Sequence, residues 1–159
     1  MRAIVLSGGG SKGAYQIGFW KAIRKLKIKY DIVTGTSVGA LNGALMVQNK
    51  YFKALKLWKN MNMKLLFGDN ATNSSKASDI IKMYRNNFFK HGGMEVVELQ
   101  NLINNCINNK KFFNSPINFG LVTVNISGKK AVQIEKKKIP ENKLTDYLIT
   151  RCTCNQIIS

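Results

Sequence analysis

Residues Gly35, Thr36, Ser37, Val38 and Gly39 hold a serine between two glycines at the G-x-S-x-G spacing, just after a β-branched run at residues 32–34 and before a small-residue segment. A strand that ends in such a turn and passes straight into a helix lifts the serine hydroxyl clear of the backbone, the geometry of a nucleophile elbow. A side chain at Gly35 or Gly39 would crowd that turn, and glycine also adopts cheaply the dihedrals such turns often need. A second cluster, Gly8, Gly9 and Gly10, follows the short apolar run at residues 2–6. Serine is a weak nucleophile, so acyl transfer by Ser37 needs a proton acceptor and donors for the oxyanion that forms on the substrate carbonyl. The backbone N–H groups of Gly8, Gly9 and Gly10 suit the donor role, because bare backbone admits a carbonyl oxygen and the next helix adds the positive end of its dipole. One such donor is worth about 2.7–4 kcal/mol of transition-state stabilisation.

Both loops need a scaffold. Residues 2–6 read as a strand, and residues 14–26 place Ile17, Trp20, Ile23 and, at the margin, Leu26 at helical spacing with Lys21, Arg24 and Lys25 outside. Asp31 introduces a second strand at residues 32–34, which runs into the Ser37 turn and another helix. Two successive strand–loop–helix units predict a parallel sheet with right-handed crossovers, which brings both loops to its carboxyl edge. The glycine loop and Ser37 are therefore expected to be neighbours. Further helices are predicted at residues 51–66, 78–89 and 95–107, with a polar loop at 68–78. Strands at 119–126 and 131–134 are joined across Ser127, Gly128 and Lys129 as a hairpin. Pro140 and Glu141 open a last helix in which Leu144, Leu148 and Ile149 face inward. The expected fold class is α/β, a single domain over residues 1–159 with a parallel-sheet core and helices on both faces.

Composition narrows the functional classes. No apolar run approaches the roughly 18 residues that span a bilayer, and the first ten residues are too short in apolar length for a secretory signal, so a cytoplasmic location is expected. The cysteines, Cys106, Cys152 and Cys154, are odd in number and lack partners for a zinc site, which predicts reduced thiols and no metal. The balance of 25 Lys+Arg against 8 Asp+Glu gives a net charge of +17. That charge favours peripheral contact with anionic membrane, although lysines spread along the chain also suit a merely solvated surface. Nucleic acid is not expected, since charge is its only support. Gly8, Gly10 and Gly13 also fit a dinucleotide-binding G-x-G-x-x-G, but that reading wants an acidic residue after the second strand, where the Ser37 turn stands. A Walker loop fails because Ala14 and Tyr15 follow Gly13. No cofactor is expected.

The run SGGGSKG from Ser7 to Gly13, followed by AYQIG and then by GTSVGALNG, resembles the opening of the patatin-like phospholipases. The resemblance implies an α/β fold with a Ser–Asp dyad that hydrolyses acyl esters of lipids. It also implies Ser37 as nucleophile, Gly8, Gly9 and Gly10 as oxyanion loop, and Lys12 as that loop's basic residue. FGLVTVNISGKKAVQI and LTDYLITRCTC are similar to later family strands and helix. The family's base is the Asp of a D-G-G or D-G-A tripeptide, and this sequence contains neither. Asp31 stands at the wrong end of the elbow strand, Asp69 and Asp79 bracket a polar loop, and Asp146 sits where a carboxylate complements a helix dipole. His91, the only histidine, precedes a glycine pair with nothing nearby to orient it. No general base is assigned. The chain is expected to be the amino-terminal portion of the fold, its C-terminal part missing, with feeble turnover of lipid esters. The alternative is a catalytically dead, basic membrane-binding module, and oligomeric state is left open.

Overall fold

The computed structural model describes residues 1–60, 101, 103–125 and 130–153. Its sheet has four strands in chain order: β1 (Ala3–Leu6), β2 (Ile32–Gly35), β3 (Asn118–Asn125) and β4 (Lys130–Glu135). β1, β2 and β3 run parallel, with Leu6 opposite Gly35 and Gly35 opposite Leu121. β4 joins antiparallel, Leu121 facing Ile134. The sheet is thus mixed, parallel beneath the two loops as the strand–helix alternation predicts. Helices α1 (Gly13–Lys25), α2 (Val38–Val47) and α3 (Tyr51–Asn60) follow the first two strands, while α4 (Asn109–Phe113) precedes β3 and α5 (Leu144–Thr153) follows β4. The class is α/β.

α2 is the element around which the rest is packed. VGALNGALMV is apolar on every side but for Asn42, and such a helix belongs inside a protein. All ten of its residues are buried. It lies on β1, β2 and β3 and takes α1, α3 and α5 against its outer sides. α1 buries Ile17, Trp20 and Ile23, as their spacing predicts, but the helix ends at Lys25 and leaves Leu26 exposed; the Trp20 ring meets Tyr51 edge-on with centroids 5.3 Å apart. Val33, Leu45, Phe112, Leu121, Leu144 and Leu148 complete the interior.

Residues 103–106 are helical, Ile103 buried and Cys106 half-buried. Lys50 and Lys53 donate to the Cys106 and Asn105 carbonyls at 3.2 Å, supplying cations to unpaired C-terminal carbonyls. Burial pushes the Cys106 thiol above its ordinary range, so it stays protonated, in keeping with an inert structural cysteine. α4 has no counterpart in the sequence reading. Five residues cannot display a helical period, and the helix is set instead by Asn108, whose side chain accepts from the Lys111 N–H at 2.8 Å. The predicted helix at 78–89, the loop at 68–78, Asp69, Asp79, His91 and the turn at Ser127–Lys129 lie outside the described residues.

Candidate active site

β2 ends at Gly35, and the Thr36 N–H donates to the Leu6 carbonyl at 3.2 Å, extending the β1–β2 pairing one rung beyond the strands. Ser37 then adopts φ 52° and ψ −130°. A non-glycine residue held at positive φ stores on the order of 1–3 kcal/mol of strain, tolerated only where the surroundings enforce it. Ser37 is the residue before α2, a position where serine ordinarily turns its hydroxyl onto a first-turn N–H. No such bond forms here. The backbone does that work: Gly39 N–H donates to the Thr36 carbonyl and Ala40 N–H to the Ser37 carbonyl, both at 2.9 Å. Among the described residues nothing engages the Oγ of the half-buried Ser37, which stands at the positive end of the α2 dipole.

The flanking glycines are required by space. A methyl group at Gly39 would stand 2.4 Å from the Leu6 carbonyl oxygen and 2.6 Å from that of Ser7, and one at Gly35 would stand 2.3 Å from the Gly39 oxygen. Neither adopts positive φ. Of the two reasons the sequence suggested for these glycines, crowding holds, while the unusual dihedral belongs to Ser37 itself.

The glycine loop meets this turn directly. A methyl at Gly8 would lie 3.1 Å from Ser37 Cβ and 3.5 Å from the Thr36 oxygen. Gly9 and Gly10 have φ of 141° and 55°, conformations that only glycine takes without strain, and the following turn at Gly10–Lys12 feeds into α1. Among the described residues nothing accepts from the Gly8 or Gly9 N–H. Lys12 donates its own N–H to the Gly9 carbonyl at 3.1 Å and lays its aliphatic stem over Gly9, its Cβ and Cδ 3.5 Å from where a Gly9 Cβ would sit.

Ser37, Gly8, Gly35 and Gly39 are thus brought together, with Gly9, Gly10 and Lys12 adjoining. The two aspartates among the described residues, Asp31 and Asp146, are not. Asp31 accepts from the Arg2 N–H at 2.6 Å and faces the N-terminal ammonium at 3.9 Å, at the other end of β2. Six residues of at most roughly 3.3 Å each, the last two in the turn, put it no more than about 20 Å from Ser37 and with the length of β2 between them. Asp146 pairs with Lys143 at 3.3 Å.

Three residues beside the site have no role there in the sequence reading, in which Trp58 counts only as apolar bulk on the 51–66 helix. Asn42, on α2, donates Nδ2 to the Gly13 carbonyl at 3.0 Å and to Gln16 Oε1 at 2.9 Å, and accepts from Trp58 Nε1 at 2.8 Å. Gln16 Nε2 in turn donates to the Ser7 carbonyl at 2.7 Å. The signal was present: one amide inside an otherwise apolar helix has to find partners.

A strained serine at a strand-to-helix turn, seated beside a glycine loop on a parallel sheet edge, belongs to an α/β protein. Residues 4–156 match the family model for patatin-like phospholipase, and the chain belongs to that family of lipid hydrolases. Fifty-five residues are 38% identical to patatin-like phospholipase domain-containing protein 7 of Rattus norvegicus, a stretch that is 35% of this chain and 4% of that protein. Lysophospholipase nte1 of Aspergillus terreus is 48% identical over 46 residues, 29% of this chain and 3% of its own. Neuropathy target esterase sws of Drosophila melanogaster is 55% identical over 42 residues, 26% of this chain and 3% of its own. In structure the chain is similar to VipD from Legionella pneumophila, with a TM-score of 0.58 and 15% identity over 93% of this chain and 41% of that one. That likeness shows the fold. The chain spans only a few per cent of the length of these curated relatives.

Proposed function

We propose that the chain carries the nucleophile and oxyanion loop of a patatin-like lipid acyl hydrolase. Ser37 Oγ attacks the carbonyl carbon of a lipid ester, and the carbonyl oxygen takes up negative charge against the N–H groups of Gly8, Gly9 and Gly10. Expulsion of the alcohol leaves the acyl group on Ser37, and water then releases the fatty acid. Lys12 adds positive charge beside the loop. The observation that carries this reading is Ser37 itself, held at φ 52° with its hydroxyl unspent and with Gly8 against its Cβ. Similarity to a lysophospholipase and an esterase over 42–46 residues supports a lipid ester as substrate.

The proton that leaves Ser37 has no acceptor among the described residues, so turnover by this chain alone is expected to be feeble, since removing one member of such a pair loses most of its rate. An alkyl fluorophosphonate followed by intact mass tests the nucleophile separately from turnover. One adduct per chain is expected, absent from Ser37→Ala, forming slowly and about tenfold faster per pH unit as hydroxide serves as the base. Equal labelling of both proteins would sink the nucleophile assignment. Brisk p-nitrophenyl ester hydrolysis that vanishes in Ser37→Ala would instead show that a base is present.

We also propose that the protein is cytoplasmic and makes peripheral contact with anionic membrane. Tyr15 and Phe19 stand exposed on α1, with Leu26 just beyond it, among Lys12, Lys21 and Lys25, and no carboxylate precedes Asp31. Co-sedimentation with phosphatidylserine vesicles at low salt, lost at high salt, is the expected result. No sedimentation at low salt would refute it.

A further inference from the structure

Asn42 is 1% exposed, and every polar atom of its amide is satisfied. The bonds run in one direction, from Trp58 on α3 through Asn42 on α2 and Gln16 on α1 to the Ser7 carbonyl. Trp58 sets that direction, because an indole nitrogen can only donate. It claims the Asn42 oxygen and so turns the Asn42 NH2 towards α1. Gln16 must then offer its oxygen to Asn42, which leaves its own NH2 for Ser7. Reversing either amide would oppose donor to donor or acceptor to acceptor.

The Ser7 carbonyl and the Gly8 N–H belong to one planar trans peptide and point in opposite directions. Whatever holds the carbonyl therefore also aims the N–H. That carbonyl also lies 2.6 Å from the space a Gly39 side chain would need, so the loop, the turn and the amide chain meet at a single atom. We propose that Gln16, oriented by Asn42 and Trp58, is a positioning residue that sets the direction of the Ser7–Gly8 peptide and so holds the Gly8 N–H in place beside Ser37. The catalytic value of this positioning rests on the function proposed above; the positioning itself does not.

The test compares the native chain with Gln16→Met and Gln16→Glu, which keep the length of the side chain but cannot donate to Ser7, and with Trp58→Phe. Backbone 15N relaxation reads the Gly8 and Gly9 amides directly. Their order parameters are expected near 0.85 in the native chain and to fall below about 0.6 in both Gln16 variants, with those of β2 and α2 unchanged. Trp58→Phe should produce a smaller fall. Fluorophosphonate addition to Ser37 should slow about tenfold in the Gln16 variants with the half-saturating probe concentration unchanged. Order parameters that stay native in both Gln16 variants would overturn the proposal, and so would a fall spread equally over β2 and α2, which marks general loosening. If the native chain takes up no probe while the Gly8 and Gly9 amides still respond, the positioning stands and the hydrolase reading fails.

Discussion

Gly39→Ala should be among the most damaging single substitutions in this chain, lowering stability by on the order of 3–5 kcal/mol out of a total of about 5–15. The added methyl would stand 2.4 Å from the Leu6 oxygen, 2.6 Å from the Ser7 oxygen and 2.8 Å from the Leu6 carbonyl carbon. All three are backbone atoms, with no rotamer to relieve them. β1 cannot retreat either, because it is paired in register with β2 and its Leu6 carbonyl also accepts from Thr36. The strain would have to be released by lifting α2 from the sheet, which would loosen the packing of ten buried residues. Gly18→Ala provides the contrast. Gly18 is in the interior of α1 with nothing within 4 Å of its missing side chain, so alanine there should stabilise by about 0.5–1 kcal/mol through helix propensity. Urea unfolding midpoints at constant slope measure both. A native midpoint for Gly39→Ala would mean that the close approach of α2 to β1 is wrong.

Ser37→Gly should make the protein more stable while removing its reactivity. Glycine takes φ 52° without steric conflict, releasing the 1–3 kcal/mol of backbone strain, against which its greater unfolded-state freedom counts for about 0.5–1 kcal/mol. The net gain of about 1 kcal/mol corresponds to a rise in Tm of roughly 2–4 °C for a chain of this size. Ser37→Ala keeps a Cβ in the strained conformation and loses no capping bond, because the serine makes none, so its Tm should stay close to native. Neither variant should take up a fluorophosphonate. The informative quantity is the difference between the two substitutions: equal Tm values for Gly and Ala would show that Ser37 is not strained.

The sheet edge was legible because its signals are local. A β-branched run stopped by glycine, repeated once, fixes two strand–loop–helix units, and the handedness of crossovers does the rest. The inward residues of α1 follow from a period of 3.6, and Leu144 and Leu148 from the same rule in α5. What the sequence concealed depends on how elements meet. Gln16, Asn42 and Trp58 are separated by 26 and 16 positions, and their bonds exist only once α1 and α3 are seated on α2. α4 is shorter than two helical turns, so no periodicity could announce it. The strain at Ser37 was likewise hidden, since a G-x-S-x-G pattern points to its glycines while the unusual backbone falls on the residue between them.

The bond from Thr36 to Leu6 also sets limits on motion. Ser37 follows one side of that rung by one residue, and Gly8 follows the other by two. Both halves of the site are short cantilevers from one clamp, so random bending of the sheet carries them together and changes their separation little. The rung keeps β1 and β2 together, and the Gln16 bond to the Ser7 carbonyl keeps Gly8 from turning away at the end of its arm. Under the proposed function, an ester that needs room to enter obtains it from elements outside β1 and β2, and the space between Ser37 and the glycine loop stays constant while those elements move.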